Sequence, residues 1–164
     1  MTTQRDSFLA EIKIVRGRHA ELLDGMDYCL DWKPDENEWC AREVVYHLVD
    51  TPVGGLHMAV RAALDGLTQT IDVRSQATNM TEERQALEID KIQEDLEAIL
   101  AGLESALDSV SDAELAERTV PLNLISRSET EEWSAQRMLN GLFLKHWREH
   151  LDQIAALRQA LGLD

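Results

Sequence analysis

His146 and His150 stand four residues apart in LKHWREH, a strongly helical stretch of the chain. At 3.6 residues per turn that spacing leaves only about a 40° offset between the two side chains, so both imidazoles leave one face of the helix. This is the spacing with which a helix grips a metal ion. A third histidine, His47 in REVVYHLVD, lies in another helical segment almost a hundred residues earlier. Packed side by side, the two segments would give a three-histidine site with an open coordination position. That is the arrangement of a reactive centre, because a structural zinc normally takes four protein ligands. Neutral imidazoles suit zinc, nickel, ferrous iron and manganese alike, so the residues do not choose the ion. On the helix carrying His47, Glu43 precedes it by one turn and Asp50 follows by nearly one. Either carboxylate could orient the His47 ring, approach the metal or accept a proton. The two remaining histidines read differently. His57 lies ten residues beyond His47 and about 80° around the helix, off its face. His19 falls on the apolar stripe of the first helix, as a packed histidine would.

Other chemistries lack their residues. HExxH is absent, since the run is His146-Trp147-Arg148-Glu149-His150. A di-iron bundle needs Glu three residues before His, and those positions hold Val44, Phe143 and Trp147. No glycine-rich phosphate loop, nucleophile elbow or dinucleotide fingerprint occurs. Cys29 and Cys40 are isolated thiols flanking a turn, with no base placed beside either, and they are expected to be reduced.

The elements that must position the histidines follow from apolar periodicity. Phe8, Ile12, Val15, His19, Leu22, Leu23 and Met26 form a stripe that predicts a first helix over roughly 5–30. The run 31–37 reads as a turn. A second helix starts near Cys40, turns Val44, Val45, His47, Leu48 and Leu56 inward, and is expected to kink near Leu48, where the Pro52 ring opposes the preceding turn, before ending near Gly66. Residues 68–80 lack a period and read as a crossing connection. Thr81 caps a third helix over 82–109, with Leu87, Ile92, Leu96, Ile99, Leu100, Leu103 and Leu107 inward and Arg84 standing where a complete capping box would have Glu or Gln. Residues 111–132 are irregular, with room for a short extended piece or a loop. A fourth helix covers 134–161, its inner stripe holding Met138, Leu139, Leu142, Phe143, His146, His150, Ile154 and Leu157. Glu38-Trp39-Cys40-Ala41 and Glu132-Trp133-Ser134-Ala135 echo one another, each placing a tryptophan before a helix start as a hydrophobic staple would. Four such helices bury their stripes most simply as an all-α four-helix bundle in one domain of residues 1–164, core about 5–161. The connection at 68–80 is long enough for a crossover topology.

Composition bounds the partners. The formal charge is −15 with only 16 Lys and Arg, and no basic run compensates, which argues against binding a phosphate backbone. Between Glu82 and Glu117 twelve acids face Arg84 and Lys91 alone, a net −10 that reads as a solvated helix face. The opening MTTQRDSFLAEIK carries no basic leader followed by an apolar run, and no stretch approaches 18 consecutive apolar residues. A cytoplasmic protein without a membrane span is the expectation.

With DWKPDENEWCAREVVYHLVD and LKHWREHLDQIAALR in this order and separation, the chain resembles the DinB-like family, also described as YfiT-like metal-dependent hydrolases, over about residues 5–161. The resemblance implies a four-helix bundle with a long crossover between helices 2 and 3 and a divalent metal ion on His47, His146 and His150. It also implies frequent pairing as a homodimer. The fold is similar to the metal-binding domain of mycothiol-dependent maleylpyruvate isomerase and to bacillithiol transferases, so a small-molecule substrate or a low-molecular-weight thiol is expected. The activities implied are hydrolysis by a metal-activated water or metal-dependent thiol transfer. A non-catalytic scaffold or small-molecule-binding protein is the remaining alternative, since many members have no established reaction.

Overall fold

The structure is a computed structural model that describes residues 1–163. Its helices are α1 (Gln4–Leu23), α2 (Ala41–Val49), α3 (Leu56–Leu64), α4 (Glu82–Gln85), α5 (Ile89–Leu107), α6 (Asp112–Glu117), α7 (Ala135–Met138) and α8 (His146–Leu161). A π-helical segment, Leu139–Lys145, joins the last two into one continuous rod. The bundle is four-membered: α1, the broken pair α2–α3, α5, and the α7–π–α8 rod. Packing runs α1 on α5 and α8, α2 on α5 and α8, and α3 on α5 and α7. The predicted stripes supply the core. Phe8, Ile12, Val15 and Leu23 from α1 meet Ile92, Leu96, Leu100 and Leu103 from α5, with Phe143, Trp147, Leu151 and Ile154 from the last rod.

The structure departs from the sequence reading at the helix ends and breaks. The first helix stops at Leu23 rather than near residue 30, and the chain from Asp24 turns through Gly25 at positive φ. Where Pro52 was expected to kink one continuous helix near Leu48, the helix ends at Val49 and a new one begins at Leu56. Pro52 has no N–H to give, and Gly54 and Gly55 both adopt positive φ. Gly55 is required twice over, because a Cβ there would lie 2.6 Å from His57 Cε1 and 2.8 Å from Ile99 Cδ1. The expected single helix over 82–109 is also two. Thr81 does cap its start, accepting from the Arg84 amide, but the chain breaks after Gln85. That break exposes the carbonyls of Arg84 and Leu87, and the buried Arg42 guanidinium from α2 donates to both, at 2.9 and 2.5 Å.

Both irregular regions carry strands. β1 (Ile71–Val73) pairs parallel with β2 (Thr119–Leu124), which pairs antiparallel with β3 (Glu129–Ser134). Val120, Leu122 and Leu124 alternate inward to the core as a half-buried strand must. Pro121 lies one residue short of the stretch that β1 pairs, so its missing N–H costs no ladder bond there. The small sheet closes one end of a bundle that is otherwise helical. The crossover between the second and third bundle members is present as expected, with β1 and α4 built into it.

Arg42 fastens that crossover to α2 and to Asp31, whose carboxylate it meets at 2.8 and 3.2 Å. Arg42→Ala should therefore cost about 2–3 kcal/mol in urea unfolding, because the half-buried Arg84 and Leu87 carbonyls and the Asp31 carboxylate all lose the bonds of one buried guanidinium. His19 generates a second expectation. It is 4% exposed, and neither ring nitrogen has a hydrogen-bond partner among the described residues. Burial lowers its pKa, opposed by Glu97 and assisted by Arg16. A folded value below the unfolded one means the neutral ring's contribution is whole above about pH 6.5 and is lost as pH falls. His19→Leu should shrink the loss of stability between pH 7 and pH 5 by about 1 kcal/mol, measured by urea unfolding at both pH values. An unchanged pH slope would contradict the assignment.

Candidate metal centre

α2 and α8 lie against one another, and their contact brings His47 and His146 together across 99 residues of chain, Nε2 to Nε2 at 2.9 Å. His150 completes the group, and one ligand atom from each of the three histidines falls within 4.8 Å of the others. Ring centroids are 4.9 Å apart for His47–His146, 4.6 Å for His47–His150 and 4.6 Å for His146–His150. The four-residue spacing on α8 does what helix geometry requires. The rod changes its winding just before the site, where the His146 amide bonds to the Gly141 carbonyl five residues back. Such π segments recur at functional sites because they re-aim the turn that follows.

Two of the three rings are held in a defined tautomer by what the outer nitrogen meets. His47 Nδ1 donates to the Ala77 carbonyl at 2.7 Å, so its Nε2 is the bare atom aimed at the centre. His150 Nδ1 donates to Gln153 Oε1 at 2.8 Å, one turn further along α8, which frees its Nε2 likewise. His146 Nδ1 is buried without a partner among the described residues. Trp39 covers the group from one side, stacked on His150 at 5.9 Å and tilted against His47 at 4.9 Å.

Burial keeps the His47 and His146 rings neutral. Burial pushes the His146 pKa down to about 3, helped by His150 and His47 and opposed by a backbone interaction with Leu142. Burial also lowers His47, against the Ala77 carbonyl and with His150. Two imidazole nitrogens at 2.9 Å need a proton or a cation between them. With His47 and His146 neutral and the bare Nε2 atoms of His47 and His150 turned inward, the residues fit a divalent ion, which takes neutral imidazole.

The carboxylates considered from sequence are engaged elsewhere. Glu43 pairs with Lys33 at 2.7 Å and accepts from Cys40 Sγ at 3.4 Å. Asp50 pairs with Arg84 at 2.6 Å and accepts from the Gly54 amide. Neither hydrogen-bonds to the triad. Their place is taken by Ala77 and Gln153, and by Trp39, which serves as a wall of the site where a helix staple was expected. Trp133, its counterpart in the echo, lies in β3 with Arg137 over its ring at 4.0 Å. Gln153, three residues after His150, carried a readable signal; a backbone carbonyl such as Ala77 carries none. His57 stays outside the group, packed against Gly55 and Gly102. Cys29 and Cys40 are free and buried, and burial raises the pKa of both, Cys40 to about 11, which is the opposite of an activated nucleophile.

A model of the DinB superfamily matches residues 11–159. Among solved structures the chain is similar to YfiT from Bacillus subtilis, described as a probable metal-dependent hydrolase with an unusual four-helix bundle topology. The identity is 19%, the TM-score 0.71, and the match covers 98% of this chain and 89% of that one. It is also similar to a protein from Streptococcus pneumoniae, at 15% identity and TM-score 0.64 over 97% of this chain and 92% of that one. A third likeness is to an uncharacterized protein from Clostridium difficile 630, at 14% identity and TM-score 0.63 over 97% and 98%. These likenesses establish the fold. No curated protein matches the chain. No helix among the described residues is long and apolar enough to cross a membrane.

If Gln153 fixes the His150 tautomer, Gln153→Ala should weaken zinc binding by about tenfold, read by competition with a chromogenic chelator, with little change in unfolding free energy. Equal zinc affinity in the variant would remove Gln153 from the site.

Proposed function

We propose that this chain, which belongs to the DinB superfamily, holds a divalent metal ion on His47, His146 and His150 and is a metal-dependent hydrolase. The observation that carries the reading is the convergence of three imidazoles whose outer nitrogens are turned away to Ala77, to Gln153 and into the protein. The fold shared with YfiT supports the same reading. An ion held there would supply Lewis acidity, able to lower the pKa of water and polarise a carbonyl or phosphoryl oxygen.

The chain's own residues do the remaining work. Ala77 and Gln153 hold two rings in the ligating tautomer, so no reorientation is needed when the ion enters. The low pKa of His146 keeps protons from competing with the ion near neutral pH. Trp39, His146 and His150 together line a cavity of about 680 Å³ that extends to the loops around Asn37 and Gln76. A substrate of modest size fits there with its reacting bond beside the triad.

His146→Ala should lose most of its bound zinc or nickel, by elemental analysis of protein purified without an affinity tag, while far-UV circular dichroism stays helical. Unchanged metal stoichiometry would overturn the triad. Hydrolysis of ester or amide substrates should disappear on chelation and return with added metal. Metal binding with no turnover across such a panel would favour the non-catalytic alternative.

A further inference from the structure

We infer that Arg84 is a positioning residue of the metal centre, holding the Ala77 carbonyl on His47 Nδ1 and so fixing the tautomer that leaves His47 Nε2 bare. This rests on the reading above for what the triad binds, but not for the state of the His47 ring. That state depends on one hydrogen bond between two separate pieces of chain, α2 carrying His47 and the loop from β1 to α4 carrying Ala77. Beyond the loop itself, and among the described residues, 76–80 reach the protein through three hydrogen bonds: His47 to Ala77, Asn79 to Tyr46 and Arg84 to Asn79. A His47 ring released from Ala77 can carry its proton on Nε2 instead, donating to His146 Nε2 at 2.9 Å. An Nε2 that holds a proton does not bind a metal ion.

Arg84 holds both pieces close to that bond. Its Nη1 donates to the Asn79 carbonyl at 2.8 Å, two residues beyond Ala77, and its Nη2 meets Asp50 at 2.6 Å, three residues beyond His47. The guanidinium also lies over the ring of Tyr46, the residue before His47, 4.8 Å from its centroid. Tyr46 is fixed in turn by its hydroxyl, which donates to Asp95 on α5 at 2.9 Å. Asn79, at φ 60, takes the left-handed conformation that a short amide side chain tolerates by bonding locally. Its Nδ2 donates to the Tyr46 carbonyl at 3.1 Å. One planar guanidinium thus joins a carbonyl, a carboxylate and an aromatic face, which the single ammonium of a lysine does not reproduce. Arg84 is itself anchored, since its amide donates to Thr81 Oγ1 at 3.1 Å and its carbonyl accepts from Arg42 at 2.9 Å. Asp50, which makes no hydrogen bond to the triad, acts on it at one remove through this clamp.

Arg84→Gln and Arg84→Lys test this, with Arg16→Gln as control. Arg16 ties α1 to Glu97 and Glu104 of α5 and makes no hydrogen bond to the residues of the clamp. In metal-free protein, imidazole nitrogen NMR spectra should show His47 as the Nδ1–H tautomer in the wild type and in Arg16→Gln, with an Nε2–H fraction growing in both Arg84 variants. Zinc affinity, by competition with a chromogenic chelator, should fall about tenfold in Arg84→Gln, about as far in Arg84→Lys, and less than about twofold in Arg16→Gln. Should Arg84→Gln fail to fold, Asp50→Asn, which keeps Arg84 but removes its ion pair, takes its place with the same direction expected in both measurements. An unchanged His47 tautomer, unchanged zinc affinity in Arg84→Gln, full rescue by Arg84→Lys, or an equal loss in Arg16→Gln would overturn the inference. Wild-type protein that binds no zinc removes the metal reading, while the tautomer of the metal-free ring still decides whether Arg84 fixes His47.

Discussion

Burying the His47 imidazole, with His146 and His150 half-buried beside it at the seam of α2 and α8, is the constraint on which the surrounding structure depends. A buried ring nitrogen needs a partner, and a buried imidazolium is expensive, so the site must hold neutral rings in fixed tautomers. His47 is fully buried, and its outer nitrogen reaches the Ala77 carbonyl. That carbonyl belongs to the crossover and to no bundle helix. The crossover is therefore part of the site. Its route is set by Asn79 donating to the Tyr46 carbonyl, Arg84 to the Asn79 carbonyl, and Arg84 pairing with Asp50. Each of those bonds ends on the last turn of α2 or on the strap itself, so the strap and the His47 ring are fixed together.

The same constraint accounts for two breaks that would be liabilities elsewhere. Ending α2 at Val49 frees Asp50 and Thr51 from helical register, which lets Asp50 take Arg84 and brings Thr51 Oγ1 to 3.5 Å from His47 Nδ1. Breaking the chain after Gln85 offers two carbonyls to Arg42. On the other wall, Trp147 is fully buried beside His146 and packs edge-on to Phe143 at 5.5 Å. It anchors α8 from behind the histidines, even though its indole nitrogen finds no partner among the described residues.

What could be read from the sequence was whatever side chains declare by period. The stripes of α1, α5 and α8 gave the bundle, and a spacing of four gave the His146–His150 pair. Features that depend on backbone groups stayed hidden. Pro121 makes β2 look unlike a strand, β1 is three residues long, and its partner lies some fifty positions away. The π turn before His146 has no sequence period of its own. Glu43 and Asp50 stand one turn from His47, yet proximity along a helix does not determine a partner. Lys33 and Arg84 claim them, because pairing with a cation answers a carboxylate's charge more completely than an imidazole N–H does.

The identity of the partners has a chemical consequence. A carboxylate behind a ligating histidine raises its basicity and donates charge toward the ion, while a carbonyl or an amide fixes the ring without adding a full negative charge. Here the partners are Ala77 and Gln153, and both candidate carboxylates are neutralised by Lys33 and Arg84. On the proposed reading, three neutral ligands with neutral supports leave the ion nearly its whole charge. That favours Lewis acidity over tight retention of the metal. A strongly acidic protein compensates from a distance, since its field concentrates metal cations without placing an anion where it would quench the centre.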